Sequence, residues 1–236
     1  MLAGDLMGFL ALKPILDADI PPRTRQAMLL IQVQAGRDVA LGQILDLERD
    51  TYELPSDEFL SDVAEFKGAR YSILSPMLLG LAAVGSVPGE CADGFRRYAR
   101  LSAESIIMFD DYIDVFGVNA NLGKTPGADI RQGRRSHAIR DVLQAADPRD
   151  RSEVEEILRD PSGSADGIQR VGEIGRALGV DETIRSQIRD RAEPAATEAA
   201  SWRRYWRHEA VDALARFPLL TIEQLFRETG NGANSD

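Results

Sequence analysis

The sequence predicts an all-α protein, and three observations predict it. Apolar residues recur at three- and four-residue spacing along nearly the whole chain, no Val/Ile/Thr-rich alternating segment stands out, and prolines and glycines punctuate the pattern at intervals suited to short loops. At 236 residues, with 44% hydrophobic and 28% charged residues, the chain can bury a core without disulfides or metal staples. No tandem repeat or linker divides it, so one helical domain spanning 1–236 is expected.

In order, helices are expected over 2–16, 22–50, 57–84, 89–116, 131–146, 149–159, 164–178 and 181–228. The first is an apolar run without a basic leader, and Asp5 within it argues against a signal peptide. Pro22 suits the first turn of the second helix. The third carries Pro76, where a disturbance is expected. The uncharged run 71–89 is long enough to raise a membrane span, but Pro76, Gly80, Gly85, Pro88 and three serines make it a buried helix followed by a turn. The fourth ends in an apolar segment, SIIMFDDYIDVF, that is interrupted by its aspartates, and the fifth is polar. Asp147 with Pro148 opens the sixth as N-cap and first helical residue, and Gly179 closes the seventh. The last should break near Pro194 and Pro218 and end in a frayed tail at 228–236.

A net charge of −10 without a basic stripe argues against nucleic acid and anionic membranes as partners. The single Cys91 allows no internal disulfide, which fits the cytoplasm. The two histidines, His137 and His208, are too far apart in sequence to suggest a metal or nucleophile system. WRRYWRHEA over 202–210 reads as an amphipathic helix edged with arginine.

The sharpest chemical feature is SIIMFDDYIDVFG, in which Asp110, Asp111 and Asp114 share one face of an otherwise apolar helix. Carboxylates so placed repel, and their burial calls for a cation or hydrogen bonds. Magnesium suits them, because it takes oxygen ligands from one or two carboxylates together with substrate phosphates. A solvated acidic patch or an internal salt-bridge site is the bland alternative. Only Lys13, Lys67 and Lys124 occur among many arginines; Lys67 and Lys124, the latter in the glycine-rich loop 117–127, stand where a phosphate-binding charge is useful.

The run FDDYIDVFGVNANLGKTPGADIRQGRRS resembles the second aspartate-rich motif of trans-prenyl diphosphate synthases, with its GK, G-x-D-I and G-basic-basic-Ser elements. KGARYSILSPMLLGLAAVG is similar to that family's Lys-Thr segment, MLAGDLMGFLAL to its LAGD helix, and GQILDLE to its Gly-Gln-x-x-Asp helix, all in the family's order over 2–146. The resemblance implies an isoprenoid-synthase-type helical bundle around a central cavity. It implies magnesium on Asp110, Asp111 and Asp114, Lys67 and Lys124 on the allylic diphosphate in catalytic roles, and supporting roles for Gln43 and Asp129. The implied reaction condenses an allylic diphosphate with isopentenyl diphosphate into a longer linear isoprenoid diphosphate, within a homodimer or a heteromer with a synthase.

Against the family pattern, Ile106 and Ile107 replace a Phe-Gln pair, Gly68 a threonine and Arg134 a lysine, and no second DDxxD occurs. The chain is therefore expected to be the C-terminal part of a synthase without its N-terminal helices, its activity contingent on the missing part. Apolar surface left bare by that loss should make it marginally stable or aggregating. A non-catalytic partner subunit of a full-length synthase is the alternative, and a class I terpene cyclase a more distant one.

Overall fold

The computed structural model describes residues 2–51, 54–85, 92–117, 127–160 and 164–223. Among these the regular structure is helical throughout. α1 (Leu2–Leu10) and α2 (Lys13–Asp17) replace the single helix expected over 2–16, because Pro14 enters a new first turn where its missing N–H costs nothing. α3 runs Pro22–Glu48 and tightens into a 3₁₀ turn, Arg49–Thr51.

The third expected helix is continuous but changes its winding. α4 (Asp57–Val63) starts at Ser56, whose hydroxyl accepts the Phe59 N–H at 3.1 Å. It widens into a π-helical stretch, Ala64–Leu74, and returns to α geometry as α5 (Ser75–Val84). The expected disturbance at Pro76 thus lies upstream of it. Proline crowds the turn before it, and the Ser75 N–H reaches five residues back to the Arg70 carbonyl.

α6 (Ala92–Phe116) is the central element, flanked by α11, the π stretch and α8. The helix expected over 131–146 is interrupted: α7 covers Ala128–Arg131 and α8 His137–Ala145, parted by Gly133 at φ 63°. α9 (Pro148–Arg159) is capped by the Asp147 carboxylate as expected, and α10 (Ala165–Ala177) is followed by Gly179 at φ 71°. α11 (Val180–Ala200) runs straight through Pro194, so the break expected there is corrected. It falls instead at a 3₁₀ turn, Ser201–Arg204, before α12 (His208–Arg216), and Pro218 does end a segment. The 228–236 tail lies outside the described residues.

One core joins α6 to α8–α11, with Ile130, Ile139, Val142, Val154, Val171, Ile184 and Ile188 all fully buried. A second centres on Phe95, Tyr98 and Trp202, where Phe95 and Trp202 meet edge-to-face at 4.6 Å. α3 inverts the usual pattern. It buries Ala35, Asp38, Gly42 and Asp46 and exposes Leu30, Val33, Leu41, Ile44 and Leu47. No helix of the described residues is long and apolar enough to cross a membrane.

Candidate functional site

A cavity of about 690 Å³ opens between α3, the α4–π segment, α6 and the α7–α8 region. One wall is acidic: Asp110, Asp111 and Asp114 from α6, and Asp129 from α7. A second stretch of the lining carries Lys67, Arg49 and Arg134 around Asp46. Ile106, Ile107, Ile73, Leu60, Val63 and Phe217 complete an apolar lining.

Residues four and three apart on α6 bring the three aspartates to one side, as their spacing requires. Asp110 is exposed at the mouth while Asp111 is buried. Asp111 Oδ2 accepts the His137 backbone N–H at 2.8 Å and lies 2.9 Å from His137 Nδ1, so it meets the first turn of α8. Asp114 holds the start of α7: its two oxygens accept the N–H groups of Ala128 and Asp129, each at 2.9 Å. Backbone donors at two helix starts therefore supply part of the compensation that the buried carboxylates require.

That compensation is incomplete. Burial, with the nearby Asp111 and Asp114 charges, pushes Asp129 up to about 6. Burial likewise raises Asp114 against its two backbone bonds. Within the cationic cluster, burial would raise Asp46 too, but the Lys67 bond and the charges of Arg49, Lys67 and Arg134 hold it below the usual carboxylate range. Lys67 Nζ donates to Asp46 Oδ2 at 2.6 Å, and Arg49 reaches Oδ1 at 3.2 Å.

The structure thus brings Asp110, Asp111, Asp114, Asp129 and Lys67 to one cavity. Gln43 is exposed on α3 and does not line it, and Lys124 lies outside the described residues. Asp46, Arg49, His137 and Phe217 were not singled out for this site from the sequence. For Asp46 a signal existed: it stands one helical turn from Gly42 in GQILDLE, on the same face. For magnesium the all-oxygen character of the acidic wall fits, as does its surplus negative charge at Asp129. Among the described residues no three of these side chains gather tightly enough to hold an ion by themselves.

Residues 1–174 match the family model of the polyprenyl synthetases. The chain is 26% identical over 181 residues to a short chain isoprenyl diphosphate synthase of Methanocaldococcus jannaschii, covering 74% of this chain and 52% of that protein. It is 30% identical over 142 residues to the farnesyl diphosphate synthase of Escherichia coli, covering 58% and 47% of the two. Among solved structures, the geranylgeranyl pyrophosphate synthase of Corynebacterium glutamicum, complexed with isoprenyl diphosphate and magnesium, superimposes with a TM-score of 0.82 at 25% identity. It covers 94% of this chain and 62% of that one. The chain spans about half the length of the curated relatives it matches.

Proposed function

The chain belongs to the polyprenyl synthetase family, and from that premise we propose that its cavity binds an allylic diphosphate for condensation with isopentenyl diphosphate to a longer linear isoprenoid diphosphate. One observation carries the reading: a carboxylate wall and a cationic wall line one cavity whose remaining lining is apolar. A diphosphate has the charge to bridge such walls, and a prenyl chain has the surface to fill the space between them.

Lys67 and Arg134 would take diphosphate oxygens, with Lys124 added from the loop that follows α6. Asp110 and Asp111 would hold magnesium, with Asp114 and Asp129 behind them as a negative field, and Gln43 has at most a supporting role from outside the cavity. Magnesium, when bound, neutralises the diphosphate as it leaves. Ile73, Ile106, Ile107 and Phe217 keep water from the allylic end, which suits a site where positive charge develops on carbon. Ile107, standing where the family has glutamine, makes that wall drier still. The reading places the protein in the cytoplasm and has it act as a homodimer or with a synthase; the exposed apolar stripe of α3 supports such association.

The test is calorimetric titration of a non-ionisable allylic diphosphate analogue with and without magnesium. Magnesium-dependent binding that is lost in Asp111→Asn is expected. Binding equal with and without magnesium, or equal in the variant, would refute the reading.

A further inference from the structure

The functional reading gives Lys67 an anion to hold, but it assigns nothing that aims Lys67. Four side chains supply the answer. Arg49 is 5% exposed and Asp46 only 3%, and the two pair at 3.2 Å through Asp46 Oδ1. The other oxygen, Oδ2, is shared by Lys67 Nζ at 2.6 Å and Arg134 Nη1 at 3.4 Å. The side chains of Lys67 and Arg134 remain 37% and 28% exposed, respectively. Asp46 and its brace Arg49 are thus both buried, while the two cations that share Oδ2 reach the cavity.

The charge balance points the same way. A carboxylate that served only to neutralise a buried partner would need one cation, and Arg49 already supplies it. Asp46 instead gathers three cations from three segments, and because Arg49 also meets Asp50 at 3.4 Å the group keeps a single positive charge in excess, on the side of Lys67 and Arg134 that lines the cavity. The backbone reinforces this placement. A methyl on Gly42 would come within 2.4 Å of the Lys67 backbone nitrogen, so α3 and the π stretch touch there without side chains between them. Asp46 follows Gly42 by one turn on the same face.

We propose that Asp46, braced by Arg49, is the positioning residue that holds Lys67 and Arg134 together as a two-cation clamp for one diphosphate. The proposal rests on reading the cavity as a diphosphate site. Two donors converging on one oxygen present their remaining N–H groups as a pair. Adjacent phosphate oxygens can accept that pair without the entropic cost of collecting two free side chains.

The test exploits the scarcity of lysine in this chain. Brief acylation of the full chain, read by mass spectrometry, reports on Lys67 with Lys13 as internal reference. In Asp46→Asn the Lys67 rate relative to Lys13 should rise about tenfold, and affinity for inorganic pyrophosphate with magnesium should fall about tenfold. The triple variant Asp46→Asn, Lys67→Ala, Arg134→Ala should bind no more weakly than Lys67→Ala, Arg134→Ala, since Asp46 acts through those two cations. Should Asp46→Asn not fold, adding Arg49→Met removes the stranded charge and the same readouts apply.

A folded Asp46→Asn variant with unchanged Lys67 reactivity and unchanged pyrophosphate affinity would overturn the positioning role while the functional reading stands. A wild-type chain whose Lys67 gains no protection from pyrophosphate would overturn the functional reading, and the clamp with it.

Discussion

Asp111 and Asp114 each do two things that a substitution can separate. Their oxygens accept backbone N–H groups at the starts of α8 and α7, so removing the acceptor loses a helix-start bond as well as a charge. Asp111→Ala should cost about 1–2 kcal/mol of stability by denaturant titration, whereas Asp111→Asn, which keeps an acceptor oxygen, should cost less than half of that while still abolishing magnesium-dependent binding. Asp129 provides the pH test. Its folded pKa, about 6, lies above the ordinary value of 3.8, so its contribution favours folding below that value and is lost as pH rises through about 6. The metal-free wild type should lose melting temperature between about pH 4 and pH 6.5, and Asp129→Asn should flatten that slope. A wild-type slope unaffected by Asp129→Asn would show that another group carries it. The aspartate spacing on α6 was legible in the sequence because a regular helix fixes which residues share a face. Asp46 was legible only in its spacing from Gly42, because GQILDLE offers both Gln43 and Asp46. Only the packing of α3 decides which turns inward, and Gln43 lies about 100° round the helix from Gly42.

Helix existence could be read from apolar period and caps, and Asp147–Pro148 and Gly179 act as those signals say they should. What could not be read is winding. The π stretch Ala64–Leu74 changes the period that places side chains, so the direction of Lys67 does not follow from 3.6-residue spacing. Pro194 misleads for the opposite reason: Ala192, Ala195, Ala196 and Ala199 are buried around it, and that packing keeps α11 continuous past the missing N–H. Gly133, with φ 63°, was a readable break between α7 and α8. The close approach of α3 to the π stretch at Gly42 makes a further test. Gly42→Ala should raise the intrinsic helix propensity of α3 yet destabilise the protein by about 1–3 kcal/mol in chemical denaturation, since its methyl meets the Lys67 backbone rather than a movable side chain. A neutral or stabilising result would mean that α3 and the π stretch can part without consequence. Glu104 ties its own helix, α6, to two others: its carboxylate accepts from Ser61 on α4 and Arg191 on α11 at 2.8 and 3.0 Å, and from Arg100 one turn away at 3.2 Å.

For the whole molecule, the distribution of apolar surface is the feature that most constrains behaviour. Leu6, Met7, Phe9 and Leu10 of α1 are exposed together with the outward stripe of α3, while the inward face of α3 is spent on Asp38, Gly42 and Asp46. A helix with aspartates inside and leucines outside has its polar side fixed by the cavity, so its apolar side must be covered by something else or remain in contact with water. Each such side chain removed from water contributes roughly 1.5 kcal/mol or more, so covering the stripe would add materially to a stability that is small for any domain. The bundle and its cavity were legible from motif order, but this inversion was not, since motif resemblance says which residues recur and not which face meets solvent. The chain should therefore associate in solution. Sedimentation velocity over a concentration series should show dimers or larger species, and Leu41→Glu with Ile44→Glu, two exposed positions remote from the cavity lining, should shift the distribution toward monomer without unfolding the helices. A wild-type chain that stays monomeric at all concentrations, with a sharp cooperative melt, would mean that the stripe is tolerated in water and that α3 needs no partner.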